Sequence, residues 1–138
     1  MNKFCIIGLG SHARNKIIPS IKKIKNAKII SVTRSENNKI FGIKNYNNIL
    51  ELKKSYFKNY LFIISTPPES HFKILNFLLK KKCMIAVEKP AITNRKQFLS
   101  IKNNYNLNRI FIIETFYYKL SKKYNKFLLD WYKYKEQI

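Results

Sequence analysis

The chain has 138 residues, the size of one domain and too short for two full ones. Hydrophobic residues make up 46% of it, which excludes a disordered chain, and no apolar run reaches the roughly 18 residues of a membrane span. The formal net charge of +21 would suit a polyanion, yet only four of the 28 basic residues are Arg and they are scattered along the whole length. Lys is accompanied by much Asn and Ile, the trio that AT-rich coding produces together. The charge therefore reads as a solvated, compositionally biased surface, and a nucleic-acid partner is not expected. A basic nucleic-acid-binding protein would show steep salt dependence and no response to a dinucleotide.

The hydrophobic pattern alternates short β-type runs with longer helical stretches, the signature of βαβ units on a parallel sheet. Phe4 to Gly8 is a continuous apolar run ending in glycine, as for a strand buried on both faces. It leads straight into a glycine motif with no small-residue cleavage site, so it reads as a strand and not a signal peptide. Ala13, Ile17, Ile18, Ile21 and Ile24 then recur at helical spacing, with Pro19 predicted to bend that helix or mark a turn near its start. Ala27 to Thr33 is the second predicted strand. Residues 46–54 are predicted as a short helix with Ile49, Leu50 and Leu52 on its apolar side. Tyr60 to Ser65 is a strand, stopped by Thr66-Pro67-Pro68, and His71 to Lys81 is a helix. Cys83 to Val87 is the next strand, ended by Glu88-Lys89-Pro90. Thr93-Asn94 caps a helix to about Asn103, and Ile110 to Glu114 is the last strand. Cys5 and Cys83 both fall in apolar runs, so buried free thiols in a reducing cytoplasm are expected.

The first motif is Gly8-Leu9-Gly10-Ser11-His12-Ala13, a G-x-G-x-x-A pattern between a strand and a helix. Gly8 permits a tight turn, Gly10 leaves the backbone open to a pyrophosphate, and Ala13 lets helix and strand pack closely. The helix start offers N–H groups and a positive dipole end to phosphates. The second is Val32-Thr33-Arg34-Ser35 at the end of the second strand. NAD-specific folds commonly put an acid there for the ribose 2′-hydroxyl. Here the nearest acid is Glu36, past that position, and an Arg flanked by hydroxyls suits a 2′-phosphate. NADP is therefore expected ahead of NAD. Ser65-Thr66-Pro67-Pro68-Glu69-Ser70-His71 and Val87-Glu88-Lys89-Pro90 end two more strands, at the edge where open α/β sheets bind ligands. Lys89 is the candidate acid/base, the more so if buried. The Cys and His residues show no metal-ligand spacing, so no metal is expected.

Gly-Leu-Gly-x-x-Ala, Thr-Pro-Pro-x-x-His and Glu-Lys-Pro, in this order and at these intervals, resemble the N-terminal domain of the glucose–fructose oxidoreductase/inositol dehydrogenase (Gfo/Idh/MocA) family. Phe41-Gly42-Ile43 before Tyr46 looks similar too. The resemblance covers about residues 3–118, and Glu-Lys-Pro after a strand is its most specific part. It implies that Gly8, Gly10, Ser11 and His12, with Ala13 behind them, line a pyrophosphate site. It places Thr33, Arg34 and Ser35 at the adenosine ribose, and Ser65, Thr66, Pro67 and His71 along the cofactor. Glu88 would lie near the nicotinamide ribose. Lys89 would contact substrate and nicotinamide, with a cis bond to Pro90.

The expected fold is α/β: a Rossmann-like, doubly wound parallel sheet, a single domain over residues 1–118. An extra amphipathic helix is expected over 119–138, where Leu120, Tyr124, Phe127, Leu128, Trp131 and Tyr134 recur mostly at spacings of three and four. Family members continue into a second, mostly antiparallel domain that completes the substrate pocket, and 119–138 reads as its start. Two functions are carried forward. One is an NAD(P)-dependent oxidoreductase, or its cofactor domain, moving hydride to or from a sugar-like or other carbonyl or imine substrate. The other is a truncated, catalytically inert nucleotide-binding module, or a subunit completed by another chain. Residues 120–134 would mediate homo- or hetero-oligomerisation.

Overall fold

The computed structural model describes residues 2–35 and 39–113. The expected helix over 119–138, the end of the last predicted strand at Glu114, and Glu36 lie outside the described residues. Six strands form one sheet: β1 (Lys3–Ile7), β2 (Lys28–Val32), β3 (Lys44–Tyr46), β4 (Leu61–Ile64), β5 (Met84–Glu88) and β6 (Ile110–Ile113). Their order is β3-β2-β1-β4-β5-β6 and every neighbouring pair is parallel. The chain starts in the middle, winds out to one edge, returns to the centre and winds out to the other. This is the Rossmann-like doubly wound order, whose reversal falls between β1 and β4.

A parallel sheet must be covered on both faces, and the strand sequences are apolar on both. Cys5, Ile7, Val32, Phe62, Ile64, Ile85 and Val87 belong to one core. Leu75, Leu78 and Leu79 of α3 (Pro68–Lys80) and Ile101 of α4 (Arg95–Asn104) join the same core. Phe4, Ile6, Ile63 and Ala86 form the opposite one with Ala13, Ile18 and Ile21. Strand side chains alternate between faces, so each strand contributes to both cores.

The first helical stretch, 11–22, does not break at Pro19. A π turn, Ala13–Ile17, runs into α1 (Ile18–Lys22), and the Ile18 N–H donates to Ala13 O. Proline crowds the carbonyl four residues before it and has no N–H to donate. The wider π turn lies just ahead of Pro19 and spans Asn15, whose carbonyl the ring would crowd. α3 starts three residues earlier than its apolar pattern suggests, because Pro68 occupies a first-turn position that needs no N–H.

The predicted helix over 46–54 is not formed. Lys44–Tyr46 is an edge strand, Ile49–Glu51 is one 3₁₀ turn, and α2 spans Lys54–Asn59. Side chains decide this. Ser31 Oγ donates to Asn45 Oδ1 at 2.9 Å, and Asn45 Nδ2 donates to Thr33 O at 3.1 Å, which ties the segment to β2. Asn48 Oδ1 then accepts from Leu50 N and starts the 3₁₀ turn. Leu50 is exposed and contributes nothing to an apolar side. In contrast, the predicted cap of α4 is present as Asn94, whose side chain accepts from Lys96 N at 2.8 Å.

Cys5 in β1 and Cys83, just ahead of β5, are both free and fully buried. Burial pushes the Cys83 thiol up to about 11 and the Cys5 thiol higher still, the latter with a smaller contribution from Cys83. Both thiols are held protonated in the fold, so the native state binds protons more tightly than the unfolded chain. Their stabilising contribution is complete below the unfolded value near 9 and is lost as pH rises towards and past 11. Urea midpoints are thus expected to fall between pH 9 and 11, and to fall less in Cys83→Ala. An equal alkaline fall in both proteins would remove Cys83 as a cause.

Among the described residues no helix is long and apolar enough to cross a membrane, and no group of three or more His, Cys, Asp or Glu could hold a metal ion. Lys3, Lys28, Lys82 and Arg109 stand at the amino ends of β1, β2, β5 and β6, on the edge opposite the strand ends that carry the motifs.

Candidate functional site

The carboxyl ends of β1, β2, β4 and β5 bring the predicted motifs to one edge of the sheet. Gly8 leaves β1 with φ +88°, and its N–H donates to Val32 O at 2.9 Å. Its Cα faces the next turn closely: a Cβ there would lie 2.6 Å from Ser65 O and 2.7 Å from Thr66 Cγ2. Gly8 is thus the point where the first and fourth strands' exits touch. Gly10 is the opposite case. It is exposed, its φ is outside the left-handed region, and a Cβ would meet nothing within 4 Å. The space beside it is open.

The first helical bond runs from Arg14 N to Gly10 O at 3.1 Å. The amides of Ser11, His12 and Ala13 precede it and have no partner within the helix. Ala13 is fully buried under this turn, where a larger side chain would push helix and strand apart. Ser11 is exposed and its Oγ accepts from Asn15 Nδ2 at 3.0 Å. This first turn can therefore hold an anion with backbone donors, and Gly10 leaves room for it.

At the end of β2, Thr33 is buried and its backbone is spent: its N–H donates to Tyr46 O at 3.0 Å, and its carbonyl accepts from Asn45. Arg34 and Ser35 are exposed beyond it. Arg34 has no hydrogen-bond or ion-pair partner among the described residues. Sequence reasoning missed Asn45, because an Asn in a polar loop carries no local sign of the strand that it bridges.

Across the reversal point, Ser65 Oγ donates to Glu88 Oε1 at 2.5 Å, joining the ends of β4 and β5. The same carboxylate oxygen lies 3.8 Å from His12 Nε2. Glu88 thus stands between the glycine turn and the β4 exit, with one oxygen engaged and its side chain partly open to solvent. Thr66 and Ser70 hydroxyls are 2.6 Å apart, and Ser70 also bonds to Pro67 O at 2.8 Å, closing the turn into α3. Lys89 is exposed, and its bond to Pro90 is cis. His71 is buried, between the backbone carbonyls of Thr66 and Pro90. The structure thus gathers Gly8, Gly10, Ser11, His12, Ser65, Thr66 and Glu88 at the strand ends beside the reversal point, where open α/β sheets have their ligand crevice. It sets Thr33, Arg34 and Ser35 at its β2 end and Lys89 at its β5 end.

A glycine turn and helix start at the reversal point of a doubly wound sheet define a Rossmann domain of the dinucleotide-binding class. Residues 2–106 match the model of the oxidoreductase family with an NAD-binding Rossmann fold, Gfo/Idh/MocA, and the chain belongs to that family. No curated protein sequence matches it. Among solved structures it is similar to an oxidoreductase from Agrobacterium radiobacter in complex with NAD+, L-tartaric acid and magnesium. The two are 21% identical with a TM-score of 0.67, over 84% of this chain and 36% of that one. D-galactose-1-dehydrogenase from Rhizobium etli is 19% identical with a TM-score of 0.62, over 74% of this chain and 33% of that one. The WlbA (WbpB) dehydrogenase from Thermus thermophilus, in complex with NAD and alpha-ketoglutarate, is 13% identical with a TM-score of 0.65, over 82% and 41%. At these identities the likeness is one of fold. The matched part spans roughly a third to two fifths of those chains.

Proposed function

We propose that the chain binds a nicotinamide dinucleotide across the crevice, with its pyrophosphate at Gly10, and serves as the cofactor half of an oxidoreductase. The open space at Gly10, beside backbone donors and at the reversal point, is the observation that carries this reading. With the adenosine half over β2, the other half extends over β4 and β5, where Ser65, Thr66, Pro67 and Glu88 stand. Glu88 has one oxygen taken by Ser65 and a second with which to accept from a ribose hydroxyl. Lys89, beside it and exposed, is the group placed to give or take a proton at a substrate oxygen or nitrogen. A bound nicotinamide supplies the hydride chemistry, on a carbinol, carbonyl or imine carbon of a sugar-like or related substrate.

We also assign NADP over NAD. Arg34 is exposed at the β2 end with no partner among the described residues, which leaves its guanidinium for a 2′-phosphate. A second reading has a specific support. The described residues leave Lys89 open to solvent, whereas hydride transfer needs a closed, oriented site. In that reading the domain over residues 1–118 binds the dinucleotide and is inert until 119–138, a further domain or another chain covers it.

Thermal unfolding with NADPH, NADH and neither, at fixed salt, tests both levels. A ligand at a hundredfold excess over its dissociation constant stabilises the fold by about 2.7 kcal/mol. NADPH is expected to raise the midpoint more than NADH does. Arg34→Ala should bring the two level, at a loss of about tenfold in NADPH affinity. Equal shifts in the wild type would refute the NADP preference, and no shift with either would refute dinucleotide binding.

A further inference from the structure

His71 lies in the first turns of α3 and is 1% exposed. Its Nε2 is 2.7 Å from Thr66 O and its Nδ1 is 3.0 Å from Pro90 O. Thr66 belongs to the turn that leaves β4, and Pro90 to the turn that leaves β5. The ring therefore lies between the two loops that border the β4 and β5 side of the crevice. On the crevice side the same two exits are joined by Ser65 and Glu88. His71 is a second tie between them.

The chemistry of the ring suits this place. Its two nitrogens diverge from one rigid plane, so one short side chain lies against main-chain oxygens of two different loops, donating to one of them as the neutral ring and to both as the imidazolium. Asn and Gln carry both amide protons on one nitrogen and cannot span both carbonyls in the same way. Both partners are main-chain oxygens that only accept, so each ring nitrogen that carries a proton has an oxygen to meet. Neither contact reaches the crevice. The side chain has no surface to offer a ligand or substrate, and any effect it has on them is exerted through the loops.

We propose that His71 is a positioning residue: it joins the Thr66-Pro67 turn to the Lys89-Pro90 turn as one wall and so sets where Glu88 and Lys89 stand against the nicotinamide half of the cofactor. This rests on the reading that the crevice binds a dinucleotide. The adenosine half lies over β2, on the other side of the glycine turn, and does not depend on the tie. The role thus predicts a split between the two halves of one ligand, which a general loss of folding would not produce.

The test uses the full chain, with His71→Phe to keep an aromatic ring and remove both polar contacts, and His71→Gln to keep one donor group. Binding of NADPH and of adenosine 2′,5′-bisphosphate, which has no nicotinamide half, is measured by calorimetry, and amide hydrogen exchange is followed without ligand. His71→Phe is expected to bind NADPH at least tenfold more weakly and the bisphosphate within twofold of the wild type. His71→Gln is expected to fall between. The amides of Thr66 and of Lys89 and Ala91 should exchange faster together, while those of Ser11 to Ala13 stay as they were. Unchanged NADPH affinity, or equal losses for the two ligands, would overturn the role of His71 and leave dinucleotide binding intact. Should His71→Phe not fold, His71→Gln decides by the same split. A wild type that binds NADH alone is put through the same split with NADH and adenosine 5′-monophosphate, and one that binds none of these ligands would overturn the cofactor reading, and this role with it.

Discussion

Gly8→Ala is expected to leave the chain about 3 kcal/mol less stable, with a thermal midpoint lowered by roughly ten degrees. Two costs combine. The backbone at this residue has φ +88°, where an L side chain is disfavoured by about 1–2 kcal/mol. The new methyl would also meet backbone: Ser65 O at 2.6 Å and Ser65 C at 2.9 Å. Ser65 cannot withdraw cheaply, because its N–H donates to Ile7 O at 2.8 Å and the residue before it, Ile64, is in register with Ile7. Overpacking of this kind costs about 1–3 kcal/mol. Small domains have only about 5–15 kcal/mol in total, so the change removes a large share of it. Urea unfolding followed by circular dichroism checks this, with a lower midpoint at unchanged slope as the expected result. A midpoint within a degree or two of the wild type would show that the β1 and β4 exits do not press together.

Gly10→Ala, two residues on, is expected to do the reverse. Its φ is one that any residue adopts, and nothing lies within 4 Å of the new Cβ. Replacing a glycine where alanine fits reduces the freedom of the unfolded chain, so stability should hold or rise by about 0.4–1 kcal/mol. The methyl would stand in the space assigned to the pyrophosphate. Dinucleotide affinity should therefore drop about tenfold or more, the effect of roughly 1.4 kcal/mol of steric cost. The pair of variants separates two uses of glycine in one short motif, one serving the fold and one serving the ligand. A Gly10→Ala chain that binds NADPH as tightly as the wild type would move the pyrophosphate away from this turn. A Gly10→Ala chain that unfolds like Gly8→Ala would show that the space is filled in solution.

Much of this fold and site is legible in the amino-acid sequence alone. The strands at Phe4, Ile30, Phe62 and Ile85 announce themselves because a strand buried on both faces must be apolar throughout. The glycine turn is legible because backbone conformation is a local property, and Gly8 is a residue that tolerates the one it takes. Asn94 was readable as a cap for the same reason: the side chain and the N–H that it accepts from are two residues apart. The order of the motifs, from Gly-Leu-Gly to Glu-Lys-Pro, already pointed to the family that residues 2–106 match.

What only the tertiary structure decided are the pairings between segments far apart in the chain. Residues 44–52 have a pattern that serves a helix or a loop equally, and the bonds from Ser31 and to Thr33 make Asn45 part of a strand. His71 reads in the sequence as a helix-start residue near a cofactor. Its partners, Thr66 and Pro90, turn it into the core, and the second of them lies 19 residues away. The family resemblance puts Glu88 near a nicotinamide ribose, but that Ser65, 23 residues earlier, engages its carboxylate is seen only in the fold. Local sequence sets periodicity, turn conformation and caps, since these depend on neighbours a few residues apart. Which polar groups meet across the strand ends is set by sheet order, and sheet order is a property of the whole packed chain.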